Sequence, residues 1–264
     1  MSFETIEFTD YGKSAAIRLN RPEALNSISP QMADDLDRAL DGLEDRRELC
    51  ALSITGTGRA FCAGADLKAA QARMQGDDAA AVNAQFLEHL RRLLLRIEAF
   101  PVPVIAAVNG LALAGGLEMV LACDLVLAAE SAKLGDAHAN YGLVPGGGSS
   151  VRLPRKIGPT RAKQLIFTGE FLPAATLMEW GLVNQVVADD ALPAAVDELI
   201  GKLASKSPIG LRRMKRMIDD GLDQPLQSAL RYELSLNAQQ ALTHDRNEGL
   251  AAFNEKREPK FEGR

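Results

Sequence analysis

The stretch Pro103-Val-Ile-Ala-Ala-Val-Asn-Gly-Leu-Ala-Leu-Ala-Gly-Gly-Leu-Glu118 decides how this chain is read. Val104–Val108 is short and wholly apolar, the pattern of a strand buried on both faces. Asn109-Gly110 is a turn. Gly115 and Gly116 then open an apolar run to about Cys123 that reads as a helix. The first N–H groups of a helix have no intrahelical acceptor and stabilise negative charge placed against them. Glu118 lies three residues beyond Gly115, so a carboxylate and a backbone donor share one turn.

An earlier segment repeats the arrangement. Phe61-Cys-Ala-Gly-Ala-Asp66 follows the strand-like run Leu49–Thr55 and the break Gly56-Thr-Gly58, and precedes a helix-like run, Leu67–Met74. Two N–H groups aimed at one point form an oxyanion hole. On an acyl thioester, charge reaches the carbonyl oxygen when a proton leaves Cα or a nucleophile adds at Cβ. Each donor then lowers the barrier by about 3–4 kcal/mol. A carboxylate or imidazole near these carbons moves protons or holds water.

The remaining pattern frames these segments. Thr5–Phe8 and Ala15–Leu19 read as paired strands around Asp10-Tyr-Gly12. Pro30 opens an amphipathic helix to about Leu43. Gln75-Gly-Asp-Asp78 is a polar break, and Ala79–Phe100 carries Phe86, Leu90, Leu93, Leu94 and Ile97 at helical spacing. Leu125–Ala128 is a further strand. Repeated strand, glycine turn and helix imply largely parallel pairing with helices packed outside. From Thr160 the pattern becomes mostly helical, with Pro173, Pro193 and Pro208 near helix starts. The expected division is an α/β core over residues 1–200 and a C-terminal helical region over residues 201–264.

Bulk properties narrow the partners. A formal charge of -5 excludes a generally basic surface for nucleic acid. The apolar run near Val102–Val108 is interrupted by Pro103 and is too short to span a bilayer. The start, Met-Ser-Phe-Glu-Thr, has no apolar core of a leader. Cys50, Cys62 and Cys123 show no paired or metal-binding spacing and read as buried free thiols in a reducing compartment. A cytoplasmic protein without membrane, nucleic-acid or metal partners is expected.

The ordered motifs resemble those of the crotonase, or enoyl-CoA hydratase/isomerase, family. They are Ala60-Phe-Cys-Ala-Gly-Ala-Asp-Leu-Lys68, Pro103-Val-Ile-Ala-Ala-Val-Asn-Gly110, Ala114-Gly-Gly-Leu-Glu118 and Leu143-Val-Pro-Gly-Gly-Gly148. Arg152-Leu-Pro-Arg155, Thr168-Gly169, Gly181-Leu-Val183 and Phe253-Asn-Glu-Lys256 are similar too. The resemblance implies a spiral of ββα units with a C-terminal helical region, assembled as homotrimers or dimers of trimers. It implies an acyl-CoA substrate, with coenzyme A as part of that substrate and no separate cofactor.

By position, the resemblance makes Ala65 and Gly115 the oxyanion donors and Glu118 one of the two catalytic carboxylates of hydratases. It places Ala63, Ala65, Asp66, Leu67 and Lys68 along the coenzyme A site. Glu23, Ala24 and Leu25 would flank the pantetheine or nucleotide. Phe253 and Lys256 would reach the CoA of the same or a neighbouring subunit. The family's second carboxylate lies before the Gly-x-x-Pro-Gly turn. Here that stretch reads Gly135-Asp-Ala-His-Ala-Asn-Tyr-Gly-Leu-Val-Pro145, and His138 occupies the position. If the stretch is extended, Asp136, His138 and Asn140 share a face, and Asp136 orients the ring.

Structural readings stand beside these. Gly115 and Gly116 alone could be close-packing glycines, Glu118 a first-turn acid complementing the helix dipole, and His138 a hydrogen-bonded structural group. Lys68 could be a solvated helix residue, and Arg212, Arg213, Lys215 and Arg216 read as a solvated face. His89 and His244 lack motifs, and Trp180 reads as packing. The expected function is hydration of a 2-enoyl-CoA thioester, using Glu118 for water and His138 for the proton at Cα. Isomerisation, thioester hydrolysis, C–C bond cleavage and a catalytically weak acyl-CoA binder are the alternatives.

Overall fold

The apolar runs pair in parallel, as the repeated units predict. The computed structural model describes residues 2–66 and 79–264. Its larger sheet runs in the order β1 (Ile6–Asp10), β2 (Ser14–Leu19), β3 (Ala51–Gly56), β5 (Val104–Val108), β7 (Leu125–Ala129) and β10 (Gln185–Val187). β1 is antiparallel to β2, and the other pairs are parallel. β5 is central and buried along its whole length, which is why it carries no polar side chain.

A second sheet went unread in the sequence. It joins β4 (Ala60–Cys62), β6 (Leu111–Leu113), β8 (Lys133–Gly135) and β9 (Leu172–Pro173). These strands are two or three residues long, too short to show a two-residue alternation. β3, β5 and β7 each lead into a short strand, β4, β6 and β8, before the next helix, which makes the repeating unit ββα.

The helices are α1 (Pro30–Asp41), α2 (Ala79–Glu98), α3 (Gly115–Ala122), α4 (Ser149–Ile157), α5 (Pro159–Thr168), α6 (Ala174–Glu179), α7 (Leu192–Ala204), α8 (Pro208–Leu222), α9 (Leu226–Gln240) and α10 (His244–Glu255). Ser29 caps α1 by accepting from the Met32 N–H at 3.1 Å, with Pro30 following it. On α2 the stripe Phe86, Leu90, Leu93, Leu94 and Ile97 is buried, as its spacing predicts. The expected helix Leu67–Met74 and the break 75–78 lie outside the described residues.

Buried carboxylates tie down both ends of the chain. Asp35 accepts from the Glu4 and Thr5 N–H groups and from Thr5 Oγ1. Asp245 accepts from the Glu262 and Gly263 N–H groups and from Ser207 Oγ. For each, burial pushes the carboxyl upward, and the donated hydrogen bonds outweigh it and hold the group below its ordinary range.

The basic run on α8 is not the solvated face that its charge suggests. Lys215 Nζ reaches Asp124 Oδ2 at 2.6 Å, and its side chain is only 7% exposed. The same oxygen accepts from the Val104 N–H at 2.7 Å, at the start of the central strand. Arg212 donates to the Arg46 carbonyl. Four cations in one window look like a surface; here two of them dock α8 on the core. Replacing Lys215 with Met would leave Asp124 half of a broken buried pair, at a cost of about 3 kcal/mol. The exposed Arg216→Met should stay within about 0.5 kcal/mol. Urea unfolding of the two variants measures the difference, and equal midpoints would contradict this account of α8.

Candidate active site

The site begins with an unfavourable backbone conformation. The Ala114 N–H donates to the Gly135 carbonyl at 3.0 Å, extending the pairing of β6 with β8. Ala114 then adopts φ 48°, ψ −117°, a region that costs a side-chain-bearing residue about 1–3 kcal/mol. That bend turns the chain from β6 directly into α3, so Gly115 becomes the first helical residue.

The earlier glycine segment packs against this bend. Gly64 has φ +100°, and a Cβ there would lie 3.0 Å from Ala114 Cβ and 3.2 Å from Gly115 N. Ala65 forms a parallel bridge with Ile28. The Ile28 N–H donates to the Gly64 carbonyl at 2.8 Å, and the Asp66 N–H donates to the Ile28 carbonyl at 3.1 Å. Arg21 Nη2 binds Asp66 Oδ2 at 2.9 Å. Among the described residues, neither the Ala65 nor the Gly115 N–H donates to a backbone carbonyl. A Cβ on Gly115 would stand 3.4 Å from Ala65 N. The two expected donors are therefore neighbours, and nothing among the described residues accepts from either.

The two glycines of α3 separate by function. A Cβ on Gly116 would collide with the Cys62 carbonyl, so Gly116 serves close packing. A Cβ on Gly115 would meet nothing closer than 3.4 Å. Packing does not demand glycine there.

Glu118 sits on the first turn of α3 and is 1% exposed. Its Oε1 accepts from the Gly147 N–H at 2.8 Å and the Ser149 N–H at 3.1 Å. Oε2 receives no hydrogen bond from the described residues. Burial raises the Glu118 carboxyl above the ordinary range, while the two N–H groups and the His138 charge partly offset that push. The donors come from the Gly146–Gly148 turn and the start of α4. Sequence reading quoted this turn only as a motif; Pro-Gly-Gly-Gly running into a helix at Ser149 was the available signal of another helix-start anion site.

The stretch 137–141 is not extended, which corrects the expected shared face. Ala137 takes φ 61°, and His138–Tyr141 form a 3₁₀ turn. Asp136 still meets His138, because the ring folds back through the turn: Nδ1 donates to Asp136 Oδ1 at 2.8 Å. Asn140 leaves the group and donates to the Gly169 carbonyl at 2.9 Å. Burial pulls the His138 pKa down, but the Asp136 hydrogen bond and the Asp136 and Glu118 charges outweigh it and raise it above 6.5. Asp136 is fully buried, and its Oδ2 has no partner among the described residues.

The remaining expected residues divide by location. Glu23 and Ala24 lie on a 3₁₀ turn, and the Leu25 carbonyl accepts from the Ala63 N–H at 3.0 Å, so these residues adjoin the Ala63–Asp66 segment. Buried Asn26 pins that loop by donating to the Thr57 and Ala60 carbonyls, an anchor sequence reading passed over. The Asp66 carboxylate is engaged by Arg21, and its N–H by the Ile28 carbonyl. Leu67 and Lys68 lie outside the described residues. Phe253, 82% exposed, and Lys256 lie at the end of α10, with no hydrogen bond or ion pair to the Glu118 group among the described residues. A cavity of about 1240 Å³ lies between α2, α4 and α8, but Glu118, His138, Ala65 and Gly115 do not line it. Burial pushes the Cys62 and Cys123 thiols up to about 12, so neither is a thiolate nucleophile.

Adjacent N–H groups with no acceptor among the described residues, a buried carboxylate and an aspartate-held imidazole suit the formation and protonation of an enolate. Comparison with known proteins agrees in class. Residues 11–264 match the family model for enoyl-CoA hydratase/isomerase. A crotonyl-CoA hydratase of Syntrophomonas wolfei is 36% identical over 263 residues, covering 99% of each chain. The mitochondrial enoyl-CoA hydratase domain-containing protein 2 of Mus musculus is 43% identical over 253 residues, 94% of this chain and 84% of its own. The crystal structure of an enoyl-CoA hydratase from Bacillus anthracis superposes with a TM-score of 0.93 at 38% identity, covering 99% of this chain and 100% of that one. The chain belongs to the enoyl-CoA hydratase/isomerase family and has the crotonase fold, a spiral of ββα units with a C-terminal helical region.

The contrast between the glycines is testable. Gly115→Ala should melt cooperatively near the wild-type temperature, yet lose about 10²-fold in kcat/KM on crotonyl-CoA, because its methyl stands beside both donors. Gly116→Ala should fail to fold or melt far lower. A Gly115→Ala protein with full activity would remove these N–H groups from the chemistry.

Proposed function

We propose that this protein hydrates 2-enoyl-CoA thioesters, or dehydrates the corresponding 3-hydroxyacyl-CoA. The Ala65 and Gly115 N–H groups donate to the thioester oxygen and stabilise it as it becomes an enolate oxygen. Glu118 Oε2 takes a proton from water as the water oxygen bonds to Cβ. His138, set by Asp136, delivers a proton to Cα as the enolate collapses. The observation that carries this reading is the Glu118 carboxylate. It is buried, yet two N–H groups on one oxygen favour its ionised form and leave the other oxygen for water.

Coenzyme A enters only as part of the substrate, along Glu23–Leu25 and Ala63–Lys68. No separate cofactor is used. Phe253 and Lys256 contact the CoA from the same or a neighbouring subunit. Leu226, Leu230 and Leu234 lie at one-turn intervals along α9 and are exposed. That apolar face supports a homotrimer or a dimer of trimers, with residues 201–264 as the assembling region. No helix among the described residues is long and apolar enough to cross a membrane. The proposed setting is cytoplasmic fatty-acid metabolism.

The reaction needs ionised Glu118 and protonated His138. Both groups are raised, so kcat/KM should trace a bell with its acid limb above 4.5 and its alkaline limb above 6.5. The two limbs belong to a pair of interacting charges. Glu118→Gln should lower hydration of crotonyl-CoA by about 10²–10⁴-fold, and His138→Gln should remove the alkaline limb while keeping the acid one. Wild-type turnover in Glu118→Gln would refute the water role, and an unchanged alkaline limb in His138→Gln would make that ring structural. Product analysis across a thioester panel separates hydration from isomerisation, hydrolysis and simple binding.

A further inference from the structure

The turn that holds Glu118 is itself held by a side-chain pair. Gly147 gives its N–H to Glu118 Oε1 at 2.8 Å, and its carbonyl accepts from Arg152 Nη1 at 2.6 Å. The same guanidinium forks onto Glu98: Nε meets Oε1 at 3.0 Å and Nη2 meets Oε2 at 2.7 Å. The Arg152 side chain is 11% exposed and that of Glu98 42%, so the guanidinium is covered while water reaches the carboxylate end of the pair. The Arg152 N–H also donates to the Gly148 carbonyl at 2.8 Å, in the first turn of α4.

We propose that Arg152 and Glu98 are positioning residues that keep Glu118 ionised by fixing the Gly147 and Ser149 N–H groups on it. The proposal rests on the reading of Glu118 as the base. Three successive glycines, Gly146 to Gly148, bring no side chains of their own to restrain the turn. Restraint comes from α2, whose Leu94 and Glu98 lie one helical turn apart. Leu94 and Glu118 both crowd Gly147 so closely that a Cβ there would meet them. Glu98 grips Arg152, and Arg152 grips the carbonyl.

A planar guanidinium fixes direction through three of its nitrogens at once, which an ammonium cannot do. Loosening it lets the turn drift and weakens the N–H bonds to Glu118. The upward push of burial then goes less opposed, and the carboxyl rises further. The consequence is a shifted acid limb and a slower chemical step, with substrate binding largely unaffected.

The test compares Arg152→Gln, Arg152→Lys and Glu98→Gln with wild type, using crotonyl-CoA. The infrared band of protonated Glu118, titrated without substrate and identified by its absence in Glu118→Gln, gives the carboxyl pKa directly. Arg152→Gln should raise the acid limb and the infrared pKa together by about one unit, the scale of one lost charge-assisted hydrogen bond. It should lower kcat at least tenfold with KM within threefold. Arg152→Lys and Glu98→Gln should move both readouts the same way by less, and they decide the matter if Arg152→Gln does not fold. Variants that melt lower but keep the wild-type limb and infrared pKa would overturn the proposal. Full turnover in Glu118→Gln would instead overturn the reading of the base, which the substrate-free titration does not depend on.

Discussion

The structure depends on the close approach of two backbone segments, Cys62–Ala65 and Ala114–Gly116. Gly116 lies so near the Cys62 carbonyl that no side chain fits, and Gly64 lies against Ala114 at a φ that suits glycine. This contact is possible because β4 and β6 pair in parallel in the small sheet, with β8 on the other side. The strands end together, and the chain leaves both at the same level. Two backbone N–H groups from segments about fifty residues apart in sequence thus become neighbours without any side chain placing them. The unfavourable conformation of Ala114 belongs to the same contact. Pairing with β8 holds its N–H, α3 starts at once behind it, and the strain is maintained by both.

A second constraint is electrical. Glu118 is placed in the core, where a carboxylate is costly, and is kept usable by N–H groups at the start of another helix. Asp136 holds His138 through its Nδ1–H, which leaves Nε2 as the nitrogen for the proposed proton transfer. The three groups act on one another: His138 draws the Glu118 pKa down, Asp136 pushes it up, and both acids raise His138. An imidazole in place of the second carboxylate that the motif resemblance implies changes the sign of one charge. In the proposed reaction its protonated form delivers the proton to Cα.

Much of this was legible in the residues, and the exceptions have physical reasons. The long strands are apolar runs bounded by turn residues, α2 carries a helical period and Ser29-Pro30 announces α1, so those elements follow from pattern. The small sheet does not, because three-residue strands carry no period. The neighbouring positions of Ala65 and Gly115 followed from the motif resemblance, since no local signal says that two turns so far apart meet. Asp136 and His138 were paired for the wrong reason: they meet through a turn at Ala137, where a positive φ in a non-glycine residue has no sequence signature. Lys215 was misread as solvated because a cation's partner, here Asp124, lies 91 residues away in sequence. The holders of Glu118 were missed because backbone N–H groups have no letter in a sequence.

The central claim is that the Ala65 and Gly115 N–H groups together polarise the thioester carbonyl. The direct measurement is isotope-edited infrared spectroscopy of crotonyl-CoA labelled with carbon-13 at that carbonyl, bound to Glu118→Gln so that it does not turn over. Two hydrogen bonds from a water-poor site weaken the C=O bond, so the stretch should fall well below its frequency in free crotonyl-CoA. A bound carbonyl at the solution frequency would contradict the account.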